Sequence, residues 1–152
     1  MRVYLAGDIS ENRWRLKIME ECLDCGITWL SPIDNISYSY QSMIPAHKKN
    51  SVFHVADLLK LKEADVVFAY LREKSVDLEQ GTVYSGTSWE LGVAHALGKP
   101  SIVVCDMKPS LACKYELVRR MAWAWHSSLD EGIDNLRELA LEMLWIPLGD
   151  GK

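Results

Sequence analysis

The sequence predicts an α/β protein: one domain with a doubly wound, mostly parallel five-stranded sheet and helices on both faces. Two observations lead there. Short apolar runs alternate along the chain with helix-periodic segments, which is the pattern of strands separated by crossover helices. The clearest run, Asp65-Val66-Val67-Phe68-Ala69-Tyr70, is apolar throughout rather than alternating, as a central strand covered on both faces requires.

Each element has its own signal. Arg2-Val3-Tyr4-Leu5-Ala6 is a buried first strand ended by Gly7, with Gly7-Asp8-Ile9-Ser10 as the turn. Ser10 suits the N-cap of a helix from about Glu11 to Cys25, stopped by Gly26. Ile27-Thr28-Trp29-Leu30 is the second strand, closed by Ser31-Pro32, and the three elements form a parallel strand-helix-strand unit. Residues 31–50 read as a long loop, and a loop of that length in a compact domain points to function. A helix follows from about Ser51 to Glu63, with Leu58, Leu59 and Leu61 on its buried face. After the third strand comes a second long loop, 71–85, then a helix containing Glu90. Ser101 to Cys105 is the fourth strand, residues 111–122 read as a helix, and Ala122 to His126 as a short edge strand. Asp130 to Leu144 is the last helix, with Ile133, Leu136, Leu139, Ala140 and Met143 at helical spacing. The order of elements is that of a flavodoxin- or Rossmann-like sheet, in which ligands bind at the carboxyl ends of the strands.

Composition narrows the function. The 152 residues fit a single domain, 1–152, with 49% hydrophobic and 25% charged residues. A net charge of -4 argues against a nucleic acid polymer as partner, and no apolar run reaches membrane-spanning length. Met1-Arg2 leads directly into a strand, so no signal peptide is expected. Cys22 and Cys25 have metal-like spacing but lie within a helical pattern, Cys105 and Cys113 are far apart and no His follows at finger spacing, so zinc is not expected and the four read as reduced thiols of a cytoplasmic protein.

One stretch stands out: Gly86-Thr87-Ser88-Trp89-Glu90-Leu91-Gly92, running on to Gly98-Lys99-Pro100. Glu90 lies among residues that should pack inward. Placed in a first helical turn, its carboxylate is stabilised by the helix dipole and stays ionised, and an ionised, positioned carboxylate can act as a nucleophile. The plainer reading is a capping box with Thr87. Asp57, in mid-helix, taken alone suits a solvated face, Tyr4 a core position, and Asp34 a turn. His95 reads as a surface histidine.

Together these pieces resemble the nucleoside 2-deoxyribosyltransferase family and its nucleotide N-glycosidase relatives. The matching residues are Val3-Tyr4-Leu5-Ala6-Gly7, Ser31-Pro32-Ile33-Asp34, Asp57-Leu58 with Ala64-Asp65-Val66-Val67, and the Glu90 stretch with Ala94 and Gly98-Lys99-Pro100. The resemblance implies that Glu90 attacks the anomeric carbon of a deoxyribosyl group and forms a glycosyl ester, resolved by a second base or by water. It implies that Asp57 handles the proton of the leaving and entering bases, with a pKa raised by burial or by Glu90, and that Tyr4 orients the nucleophile. Asp34 falls where family members line the base pocket. Gly7 and Asp8 lie at the edge of the first strand, and Asp8 is placed to hold a sugar hydroxyl. Neither metal nor organic cofactor is implied. The partners implied are a nucleoside or nucleotide, a free base and further copies of the chain, at least a homodimer, with a residue near Ser110 to Lys114 given to the neighbouring site.

The chain departs from the family pattern before the Gly-Thr, in the loop after the first strand and in the longer 71–85 loop. Transferases carry an Asp two residues before Gly-Thr, where this chain has Tyr84, followed by Ser85. That change removes a charge that would repel a 5′-phosphate, and Ser85 with the amides of Gly86 and Thr87 is placed to receive one. Asp8 weighs the other way, because an anion beside phosphate is unfavourable unless offset. Two enzyme readings therefore stand: deoxyribosyl transfer between bases, and hydrolysis of a nucleoside 5′-monophosphate. A non-catalytic nucleotide-binding module is the alternative of another class.

Overall fold

The computed structural model describes residues 1–8, 12–32, 46–73 and 85–145. The elements run β1 (Arg2–Gly7), α1 (Arg13–Glu21), β2 (Thr28–Leu30), α2 (Ala46–Glu63), β3 (Val66–Arg72), α3 (Ser85–Ala96), β4 (Ser101–Asp106), α4 (Pro109–Ala112), α5 (Glu116–Met121), β5 (Ala124–His126) and α6 (Leu129–Trp145). A 3-10 turn, Cys113–Tyr115, joins α4 to α5. The strands form one sheet in the order β2-β1-β3-β4-β5, and every pair is parallel. This is the flavodoxin-like order, whose switch point lies between β1 and β3.

The alternation of side chains splits the core into two layers. Val3, Leu5, Val66, Phe68, Ile102 and Val104 face Trp14 and Ile18 of α1 and Ile133, Leu136 and Ala140 of α6. Tyr4, Ala6, Val67, Ala69, Leu71 and Val103 face Leu61 of α2, Leu91 and Ala94 of α3, and Val118 of α5. Register sets Tyr4 beside Val67 and Gly7 beside Tyr70, so β3 runs two residues past the end of β1.

Several boundaries differ from the sequence reading. Helix α1 ends at Glu21, and Cys22 to Gly26 form a turn that closes on Gly26 at φ 59. Its N-cap residue is Asn12; Ser10 lies outside the described residues. Helix α2 starts at Ala46 rather than Ser51, and Leu59 on it is exposed while Leu61 is fully buried. Strand β3 runs to Arg72, into the stretch read as loop. The helix expected over 111–122 is broken into α4, the 3-10 turn and α5. In α6, Met143 is exposed. That helix opens on a capping box: Ser128 Oγ accepts from the Glu131 amide, and the Glu131 carboxylate accepts from the Ser128 amide.

Cys22, Cys25 and Cys105 are buried and Cys113 exposed, all as free thiols. Among the described residues no helix is long and apolar enough to cross a membrane.

Candidate active site

Helix α3 buries Thr87, Glu90, Leu91 and Ala94, a stripe at helical spacing turned toward the sheet. Glu90 is therefore a carboxyl group in an apolar stripe, 7% exposed. Opposite it, Tyr4 stands on the same face of β1 and is fully buried. The Tyr4 hydroxyl donates to Glu90 Oε1 at 2.6 Å. From α2, half-buried Asp57 brings a second carboxylate within electrostatic and hydrogen-bonding reach of the Tyr4 hydroxyl. Three elements far apart in sequence thus bring Tyr4, Asp57 and Glu90 together. For Asp57, the solvated-face reading gives way.

The protonation of this cluster follows from its surroundings. Burial pushes the Glu90 carboxyl up to about 8, and the charge of Asp57 adds to the rise. The Tyr4 hydrogen bond and the Arg15 guanidinium pull it back down. The expectation that the helix dipole keeps Glu90 ionised is thereby corrected. Helix α3 begins at Ser85, so Glu90 is in its second turn, where the dipole has faded and desolvation decides. The capping-box reading also fails, since the carboxyl binds Tyr4 across the core. Tyr4 itself is pushed far above the usual phenol range, first by burial and then by Glu90 and Asp57. It keeps its proton at every working pH and acts as a donor.

At the carboxyl edge of the sheet, Gly7 ends β1 at φ +147, where a Cβ would meet Trp14 and the Tyr70 carbonyl at 2.9 Å each. Asp8 follows it, and its carboxylate pairs with Arg72 at the end of β3, 3.7 Å away. The Tyr70 hydroxyl donates to Asp106 at 3.1 Å, and Glu73 pairs with Lys108 at 2.9 Å. Gly86 is exposed in the first turn of α3 and Thr87 is buried there. Asp34 and Tyr84 lie outside the described residues, as does the side chain of Ser85. Trp123 is exposed, whereas Met121 and Trp125 pack on the core. Arg119 and Arg120 pair with Glu116 on a solvated face. Among the described residues, no cluster of three His, Cys, Asp or Glu is arranged to hold a metal ion.

The sequence reading missed Arg15 and Arg72. A signal for Arg15 was present: Trp14, Arg15, Ile18 and Cys22 fall on one helical stripe, and the arginine is as out of place there as Glu90 is in its own.

A family model described as nucleoside 2-deoxyribosyltransferase matches residues 3–134. The chain belongs to the nucleoside 2-deoxyribosyltransferase family. Among solved structures, this family member is similar to a 2-deoxyribosyltransferase from the psychrotolerant bacterium Bacillus psychrosaccharolyticus, with 20% identity and a TM-score of 0.59 over 86% of this chain and 89% of that one. It is also similar to the CMP N-glycosidase BcmB of Clostridium botulinum, with 19% identity and a TM-score of 0.56 over 91% and 99%. BlsM matches with 17% identity and a TM-score of 0.57 over 99% and 97%. At these identities the likeness is one of fold. No curated protein matches the chain in sequence. For this 2-deoxyribosyltransferase family member, the buried Tyr4–Glu90 pair lies within the matched region.

Proposed function

We propose that the protein cleaves the N-glycosidic bond of 2′-deoxyribonucleosides and transfers the deoxyribosyl group to another base through an ester on Glu90. The observation that carries this reading is the 2.6 Å hydrogen bond from Tyr4 to a buried carboxyl group with a second carboxylate beside it. In the first step, Glu90 in its ionised form attacks C1′. The C1′–N bond breaks as the C1′–O bond forms, its electron pair goes to the base nitrogen, and Asp57, having taken the proton that Glu90 gives up on ionising, passes it to the base. In the second, Asp57 removes a proton from the entering base, whose nitrogen attacks C1′ and releases the Glu90 carboxylate. Two displacements retain the anomeric configuration. Tyr4 holds the Glu90 oxygen in place. Gly7, Asp8, Asp34, Ser85, Gly86 and Thr87 belong to the substrate-binding edge in this reading, with Asp8 toward a sugar hydroxyl and Asp34 toward a base. The reaction uses carboxyl groups alone.

The second reading is hydrolysis of a (deoxy)nucleoside 5′-monophosphate to base and sugar phosphate. Tyr84 in place of an acidic residue favours it, as does the Gly86-Thr87 opening of α3, whose amides suit a phosphate. A homo-oligomer belongs to either reading. Ser110, Cys113 and Lys114 are exposed in α4 and the turn after it, and exposed Leu117 and Trp123 lie close by in sequence.

Product analysis separates the readings. The protein is incubated with deoxynucleosides, and separately with their 5′-monophosphates, with and without a second free base, and Glu90→Ala serves as control. New nucleoside formed only when base is added establishes the transferase. Free base with deoxyribose 5-phosphate establishes the hydrolase. No turnover with any mixture, together with ligand binding unaffected by Glu90→Ala, leaves a nucleotide-binding module.

A further inference from the structure

We infer that Arg15 is a positioning residue for the reaction proposed above: reaching from α1, it fixes the exit of β1 and with it the Tyr4–Glu90 pair. The inference rests on that functional reading, and its evidence is geometric. Arg15 is 1% exposed, on the stripe that α1 turns to the sheet. A guanidinium so deeply buried is unfavourable unless its donors are used. Here both Nη groups donate to backbone. Nη1 donates to the Asp8 carbonyl at 2.8 Å, and Nη2 to the Gly7 carbonyl at 3.0 Å and toward that of Leu5 at 3.5 Å. The charged plane also lies over the Trp14 ring, 4.1 Å from its centre.

Those carbonyls belong to the end of β1 and the residue after it, at the switch point where a ligand of this sheet binds. Leu5 is one peptide from Tyr4, so the fork holds the strand end that carries the tyrosine hydroxyl. The same exit is held from β3, where Arg72 pairs with the Asp8 side chain. Asp8 is thus gripped twice, by its carbonyl from α1 and by its carboxylate from β3. For stability alone, a well-packed apolar side chain at position 15 would serve as well or better. A rigid planar fork matters where the backbone must stay in one place.

The charge has a second consequence. Among the described residues, the charged or titratable groups that bear on Glu90 are Tyr4 from β1, Asp57 from α2 and Arg15 from α1. Asp57 disfavours the carboxylate form, while Tyr4 and Arg15 favour it. The fork and the charge can be removed separately.

The test measures kcat and KM from pH 5 to 9, in whichever reaction the product analysis establishes, with thermal melts alongside. Arg15→Gln is expected to lower kcat/KM at least tenfold at pH 7 and to move the acid limb of the pH profile to higher pH. Arg15→Lys keeps the charge and loses the fork, so its acid limb should stay in place while KM rises severalfold. Arg72→Met, which loosens the same exit from the other side, should raise KM without moving the acid limb, and it serves where the Arg15 variants fold poorly. The inference is overturned if Arg15→Gln and Arg72→Met melt lower yet keep the wild-type kcat, KM and pH profile. An active Glu90→Gln would instead overturn the functional reading.

Discussion

A carboxyl group inside an apolar stripe holds its proton longer than one in water, and this governs what Glu90 can do. Pushed up to about 8 by burial, Glu90 is mostly protonated at pH 7 in the ligand-free protein. Activity should therefore climb from pH 6 to pH 8, and Glu90→Gln should lose three orders of magnitude or more, on the scale of other nucleophile losses. The neighbours give predictions of opposite sign. Tyr4→Phe removes a bond that favours the carboxylate, so the acid limb should move to higher pH, with kcat down on the order of tenfold to a hundredfold. Asp57→Asn removes a like charge, so the acid limb should move to lower pH even as proton handling fails. Rate profiles from pH 5 to 9 for both variants check the pair of shifts. Limbs that move in the same direction would break this account of the site. The identity of Glu90 was legible in the sequence because a charged residue interrupts an apolar stripe. Its protonation was not, because burial under Tyr4 is a tertiary fact and the helix start lies several residues earlier than the motif suggests.

At the scale of elements, the strands were legible because they are short apolar runs with few alternatives. All five fall within two residues of their expected bounds, and the parallel pairing follows from the crossovers. Helix ends were less legible. Helix α2 begins in a stretch of mixed polarity, and residues 109–121 form three short pieces where periodicity suggested one. Asp34 and Ser10 fall outside the described residues. Glycines in helices give a contrast that only packing reveals. A Cβ on Gly132 in α6 would sit 2.3 Å from Val104 and 3.1 Å from Phe68, so Gly132→Ala overpacks the layer between α6 and the sheet. A loss of roughly 1–3 kcal/mol is expected. A Cβ on Gly92 in α3 meets nothing within 4 Å, so Gly92→Ala should gain about 0.5–1 kcal/mol from the lower entropy of the unfolded chain. Urea unfolding of the two variants should move the midpoint in opposite directions. A stable Gly132→Ala would mean that α6 rides higher on β4 than described.

For the whole molecule, the same buried proton ties stability to pH. Glu90 titrates near 8 when folded, above its ordinary 4.5, so the folded state binds more protons than the unfolded one between those values. Stability contributed by the protonated group is complete below pH 4.5, falls as pH rises toward 8, and is flat beyond. Asp24, Asp65, Glu73 and Glu131 act in the opposite sense: hydrogen bonds from neighbouring groups hold them below their ordinary values, so their contribution is lost only in acid, as pH falls below about 4. The window from pH 5 to 8 is thus left to Glu90 among these carboxyl groups. Comparing the protein with Glu90→Gln isolates it, since glutamine resembles the neutral carboxyl and cancels every other titration. Melting temperatures are taken at pH 5 and pH 8 at one fixed protein concentration, because assembly of a homo-oligomer would make melting depend on concentration. The wild-type protein should lose several degrees more than the variant on going to pH 8, at roughly 2–4 °C per kcal/mol for a chain of this size. Parallel losses would place the Glu90 proton elsewhere. They would also remove the reason to expect an acid limb near 8 in the rate, so one melting comparison tests the electrostatics on which the catalytic proposal depends.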